Sequence, residues 1–114
     1  MNVVDSYNFG RIVINGKNYT SDVVIFPDSV KDDWRRKKSH ELSLEDIAEV
    51  LAENPEVLIV GTGAYGLVKV LSEVRQTTEA RGIKLIAEPT GEACQTYNQL
   101  YHSQQVVAAL HLTC

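Results

Sequence analysis

The chain has 114 residues, 44% of them hydrophobic and 23% charged, with a net charge of −4. A chain of this length buries roughly two-thirds of its unfolded surface, so a core needs no disulfide or metal staple, and this composition excludes disordered and collagen-like classes. The acidic balance argues against capture by nucleic acid or an anionic membrane, and apolar runs of four to seven residues are too short to span one.

In chain order, Tyr7 and Phe9 alternate with Asn8 and Gly10, the period of a strand. Residues 11–14 and 17–20 flank Asn15-Gly16, a strong hairpin signal because both turn residues tolerate positive φ. Residues 23–26 form another apolar run, closed by Pro27, which has no N–H for a ladder. The front third therefore reads as a β-meander. Residues 28–41 have no clean period and hold the only Trp, Trp34; they read as a structured loop or a short helix.

Ser43 opens the first expected helix as its N-cap, with Asp46 in the capping-box position and Leu42 and Ile47 placed as a hydrophobic staple. Leu44, Ile47, Ala48 and Leu51 keep the helical period, and Asn54-Pro55 ends it. Residues 57–60 are wholly apolar, as in a strand covered on both faces, and a glycine-rich loop follows at 61–66. A second helix is expected from Ser72 to Arg81, with Gly82 in the left-handed position after it. Residues 83–87 form the next strand. Thr90 is the expected N-cap of a third helix with Ala93, Tyr97, Leu100 and Tyr101 on one face, and residues 106–112 form the last strand. Alternating helices and strands imply a right-handed, partly parallel sheet. The expectation is one α/β domain over residues 1–114, with a central mixed, largely parallel sheet flanked by helices and an N-terminal β-meander.

Cys94 and Cys114 form no zinc or redox spacing, and His40, His102 and His111 form no metal spacing, so neither metal nor cofactor is expected. The first ten residues lack the features of a secretory signal or a transit peptide. The expected setting is the cytoplasm, with reduced thiols. Cys94 falls in the first turn of the third helix, where the dipole lowers a thiol pKa, although an inert core cysteine fits its apolar neighbours better. His111, inside an apolar strand, reads as a hydrogen-bonded core histidine.

One place could hold a ligand. The 61–66 loop and the start of the Thr90 helix leave the carboxyl ends of strands in one sheet, where open α/β sheets bind ligands. Glycines there can turn N–H groups into an anion nest, and a helix start adds more donors. The candidate ligand-binding residues are Gly61, Thr62, Gly63 and Thr90, with Arg35 and His40 from the basic stretch around Trp34. The plain alternatives are a tight strand exit, a simple cap and a solvated surface loop. The loop is neither a P-loop nor a dinucleotide fingerprint.

Several segments together resemble one family: Phe26-Pro27-Asp28, Trp34-Arg35 with His40, Gly61-Thr62-Gly63, Pro89-Thr90 with Tyr97-Asn98, and His111-Leu112-Thr113-Cys114. The family consists of small uncharacterised α/β domains, first described structurally from an archaeal protein. It includes an adipogenesis-associated cytosolic protein and a mitochondrial complex I assembly factor. The resemblance spans almost the whole chain. It implies a compact domain with a central mixed sheet, no established enzymatic activity and no catalytic residue to carry over. This chain departs from the family in Ser39 before His40, where glycine is expected, in Leu71, where a proline often stands, and in its more basic 35–38 run. Without transit-peptide character, a cytoplasmic role is expected over a mitochondrial one.

Three functional readings follow. The resemblance favours a non-enzymatic binding or adaptor domain that assists a larger assembly through an unknown protein partner. The alternative is a pocket for a small anion or metabolite, an undiscovered enzyme included, at 61–66 and Thr90. The third is redox chemistry at Cys94. No residue pattern assigns a reaction, and neither nucleic acid nor membrane is an expected partner.

Overall fold

Residues 57–60 and 106–110 are apolar without a break, and such runs survive in a strand only where both faces are covered. In the computed structural model, which describes residues 2–114, the chain runs β1 (Val4–Asn8), β2 (Arg11–Ile14), β3 (Lys17–Tyr19), β4 (Val23–Phe26), β5 (Ser29–Lys31), β6 (Glu41–Leu42), a 3₁₀ turn (Glu45–Ile47), α1 (Ala48–Glu53), β7 (Val57–Thr62), β8 (Lys69–Val70), α2 (Ser72–Ala80), β9 (Lys84–Glu88), α3 (Thr90–Leu100) and β10 (Val106–His111). The two apolar runs lie side by side within a five-stranded sheet ordered β5-β4-β10-β7-β9. Strands β10, β7 and β9 are mutually parallel, while β4 runs antiparallel to β10 and β5 antiparallel to β4.

Alternation along the strands splits the core in two. Val57, Ile59, Ala108 and Leu110 pack with Ala93, Cys94 and Tyr97 of α3 and with Val4, Ile12 and Ile14 of the small sheet. Leu58, Val60, Val107 and Ala109 pack on the other face with Trp34, Ile47, Val50 and Val74. Each fully buried aliphatic side chain contributes about 1.5–3 kcal/mol. Helix α3 is also tied to the chain start by polar bonds: Asn98 accepts from Val4 N at 3.0 Å and donates to Val4 O at 2.8 Å, while Tyr97 Oη donates to Asn2 O at 2.8 Å.

The α/β architecture and mixed sheet match the reading from sequence. Asn15 and Gly16 both have positive φ, 53° and 77°, and turn β2 into β3. Gly82 takes φ 71° after α2. Three expectations are corrected and one choice between alternatives is decided. First, only β1–β3 form the antiparallel meander; β4 is buried on both faces, leaves the meander and pairs with β10. Second, of the two readings of 28–41 the structured loop holds and the short helix does not: the segment starts as β5 and continues as irregular chain around buried Trp34. Third, the helix expected from Ser43 becomes a 3₁₀ turn followed by α1. The Asp46 carboxylate accepts from Ser43 N and Oγ at 2.8 and 2.9 Å and from Lys37 N at 3.0 Å, which ties this first turn to the basic loop. Fourth, Pro89 rather than Thr90 is the N-cap of α3.

Candidate functional site

The strand order turns back at β7. The chain goes outward to β9 through α2, then returns past β7 to β10 through α3. Such a reversal opens a crevice outside the carboxyl ends of the strands. Here Thr90 ties its walls together. Thr90 is fully buried as the first residue of α3, so its hydroxyl is not free to cap. Its Oγ1 accepts from Gly63 N at 2.9 Å and donates to His111 O at 2.5 Å, and Thr90 N donates to Gly63 O at 3.0 Å. One side chain thus locks the ends of β7, β10 and α3 together. Gly63 has φ 106°, and a Cβ there would lie 2.8 Å from Thr113 O; one at Gly61 would lie 2.8 Å from Leu110 Cδ2 and 2.9 Å from Thr90 Oγ1. These glycines are required by close approach.

Of the six residues expected to hold an anion, the fold brings Gly61, Thr62, Gly63 and Thr90 together. However, Gly63 N is bonded to Thr90, Ala64 N donates to Thr113 O at 2.8 Å, and Gly66 N donates to Gly63 O at 3.2 Å. Arg35 is exposed and paired with Asp33, Nη2 to Oδ1 at 3.1 Å. His40 is exposed, and its carbonyl accepts from Lys69 N at 2.8 Å. Neither side chain hydrogen-bonds to the loop or to Thr90.

The electrostatics centre instead on Asp22, Arg36 and His111. His111 Nδ1 lies 2.7 Å from Asp22 Oδ2, and Arg36 Nη1 donates to the same oxygen at 3.0 Å. Leu112 N donates to Asp22 Oδ1 at 2.8 Å. Arg36 Nη2 lies 3.0 Å from the same Nδ1 of His111, and His111 Nε2 lies 3.4 Å from Thr113 Oγ1. Arg36 has a side chain only 4% exposed; it donates to Ser39 O and lies over the Trp34 ring, 5.0 Å from its centroid. Burial alone would raise the Asp22 pKa, but the bonds from His111, Leu112 N and Arg36 outweigh it and hold the carboxyl below its ordinary value. The solvated-loop reading of the basic stretch therefore fails at Arg36 and Trp34. The sequence did carry one signal: a histidine inside an apolar strand needs a buried partner. Nothing local marked Asp22, 89 residues away, as that partner.

Near these junctions three large apolar side chains stand exposed. Phe9, Tyr65 and Leu67 are 57%, 71% and 54% exposed, and the Phe9 and Tyr65 rings lie 6.1 Å apart. Backbone bonds hold their loops on either side of the C-terminal residues, Gly10 N to Leu112 O and Ala64 N to Thr113 O, both 2.8 Å. Elsewhere a groove of about 540 Å³ is floored by Val24, Phe26, Trp34 and Val50. The charges on its rim pair off as Lys31–Glu49, Arg35–Asp33 and Lys37–Glu45. Cys94 is buried and burial pushes its thiol up to about 12, which overturns the activated-thiol reading of the helix start. Cys94 and Cys114 are both free. Among the described residues no group of three metal-ligating side chains is assembled, and no helix is long and apolar enough to cross a membrane.

Comparison with known proteins identifies relatives along nearly the whole chain. It is 33% identical over 109 residues to human NADH dehydrogenase (ubiquinone) 1 alpha subcomplex assembly factor 3, covering 93% of this chain and 58% of that protein. The chain therefore spans little more than half the length of that relative. It is 30% identical over 112 residues to the 13 kDa major membrane protein of Francisella tularensis subsp. holarctica (strain LVS), covering 91% of this chain and 85% of the relative. Among solved structures, a conserved hypothetical protein from Pyrococcus horikoshii OT3 superposes with a TM-score of 0.88 at 30% identity, covering 97% of this chain and 98% of that one. The profile of the family described as "Protein of unknown function (DUF498/DUF598)" matches residues 4–111, and the chain belongs to that family.

Proposed function

We propose that this chain is a non-enzymatic protein-binding domain that assists assembly of a larger complex, through the apolar rim formed by Phe9, Tyr65 and Leu67. The observation that carries the reading is the relation, across 93% of the chain, to a protein named as an assembly factor. The geometry supports it. Thr90 and the backbone of residues 112–113 take up donors and acceptors of the 63–64 turn, while Phe9, Tyr65 and Leu67 stand exposed. Water-exposed aromatic and aliphatic side chains grouped on one rim suit a protein partner better than a small anion. A net charge of −4 is in keeping with a protein partner and no nucleic-acid contact. Photo-crosslinking tests it. A photoreactive amino acid at position 65 is expected to trap one defined protein in cells, and the same probe at exposed position 76 on α2 is not. Equal patterns from both positions overturn the proposal.

A further inference from the structure

Strand β9 closes one side of the five-stranded sheet, and among the described residues nothing pairs with its outer edge. Edge strands are commonly blunted by proline, bulges or a central lysine. The segment Lys84-Leu85-Ile86-Ala87-Glu88 carries none of these within it, and its apolar centre is half-buried.

The register shows what this edge offers. Lys84 N donates inward to Glu56 O at 3.0 Å, and Lys84 pairs with Val57, Ile86 with Ile59 and Glu88 with Gly61 across the parallel ladder. Backbone groups alternate along a strand, so the N–H and C=O of Leu85 and Ala87 point outward. We propose that this edge pairs antiparallel with β9 of a second copy of the chain, about a two-fold axis at Ile86. In that register Leu85 and Ala87 exchange both backbone bonds with Ala87 and Leu85 of the other copy. Ile86 faces its own equivalent in the close, non-hydrogen-bonded spacing, and Lys84 stands opposite Glu88 at both ends. The charge order is self-complementary, as an isologous contact demands. Glu88 is already oriented by Thr96 Oγ1, which donates to its Oε1 at 2.7 Å and leaves the other oxygen for Lys84. Shifting the axis to Ala87 would oppose Leu85 to Pro89, which has no N–H to give. Shifting it to Leu85 would oppose Lys84 to Ile86 and lose both ion pairs.

Sedimentation velocity with light scattering, over a concentration series of the full chain, tests the pairing. The wild type is expected to reach twice the chain mass as concentration rises. Ala87→Pro removes an outward donor at an edge-strand position of the kind that tolerates proline and is expected to remain monomeric, with circular dichroism confirming the fold. Lys84→Glu places carboxylates opposite each other and is expected to weaken association about tenfold or more. The double change Lys84→Glu with Glu88→Lys restores opposite signs and is expected to recover most of it. A wild type that stays monomeric throughout, or a dimer that ignores both Ala87→Pro and Lys84→Glu, overturns the proposal.

Discussion

Asp22 is the residue whose loss the fold should feel most. Its carboxylate takes bonds from His111, Arg36 and Leu112 N, which come from β10, the basic loop and the chain end. Replacing it by alanine leaves the Arg36 guanidinium, with its side chain only 4% exposed, without a counter-charge. Removing one partner of a buried ion pair costs about 3–5 kcal/mol, because the other charge stays buried and unpaired. The half-open position of Asp22, 17% exposed, puts the expected loss near the lower end, about 3 kcal/mol. Arg36→Met with Asp22→Asn should cost less than the sum of the single changes, since neither charge is then left alone. Urea unfolding followed by fluorescence of Trp34, which lies beneath Arg36, reads the wild type, Asp22→Ala, the two single changes of the pair and their double. The sign with pH follows from the lowered pKa. The contribution of Asp22 is fully present above the unfolded carboxyl value of 3.8 and is lost as pH falls through the lower folded value. Asp22→Asn should therefore flatten the acid limb of the stability curve. A loss under about 1 kcal/mol for Asp22→Ala, or an unchanged acid limb for Asp22→Asn, refutes the reasoning.

Thr90→Val keeps the shape but strands Gly63 N, so thermal and urea unfolding should show a loss of about 2 kcal/mol. Gly63→Ala should cost more than Gly82→Ala: both have positive φ, but only the first meets backbone at 2.8 Å, while the second opens onto free space and should lose about 1 kcal/mol. Cys94, with its thiol pushed up to about 12, should resist a disulfide reagent at pH 8 in native protein while partly exposed Cys114 reacts; matched rates for the two would contradict its burial.

Much of the fold could be read from local pattern. Unbroken apolar strands at 57–60 and 106–110, the Asn15-Gly16 turn and Gly82 each act through their own neighbours, and each appears where expected. What escaped depends on distant residues. The 23–26 run looked like a meander strand, but besides β5 it pairs with β10, more than 80 residues on. Thr90 has the residue type and place of a cap, yet two distant acceptor and donor groups claim its hydroxyl. The basic run pointed to Arg35 and His40 because exposed charge beside Trp34 suggests recognition. The fold instead buries Arg36 beneath that stretch, to serve Asp22 and His111. The relation to the family was legible in scattered short motifs because Gly61, Gly63, Thr90, Asn98 and His111 all act at close-packed junctions.

The central claim is that the apolar rim docks a protein partner, and its most direct test is the size of the native complex. Gradient sedimentation of the chain from gently lysed cells at native expression should place the wild type in a particle well beyond twice its own mass. The combined Phe9→Ser, Tyr65→Ser and Leu67→Ser variant, all at exposed positions, should keep its unfolding free energy within about 0.5 kcal/mol per site and leave that particle. A wild type found only at its own mass or twice it, or a variant that still sediments with the large particle, contradicts the account.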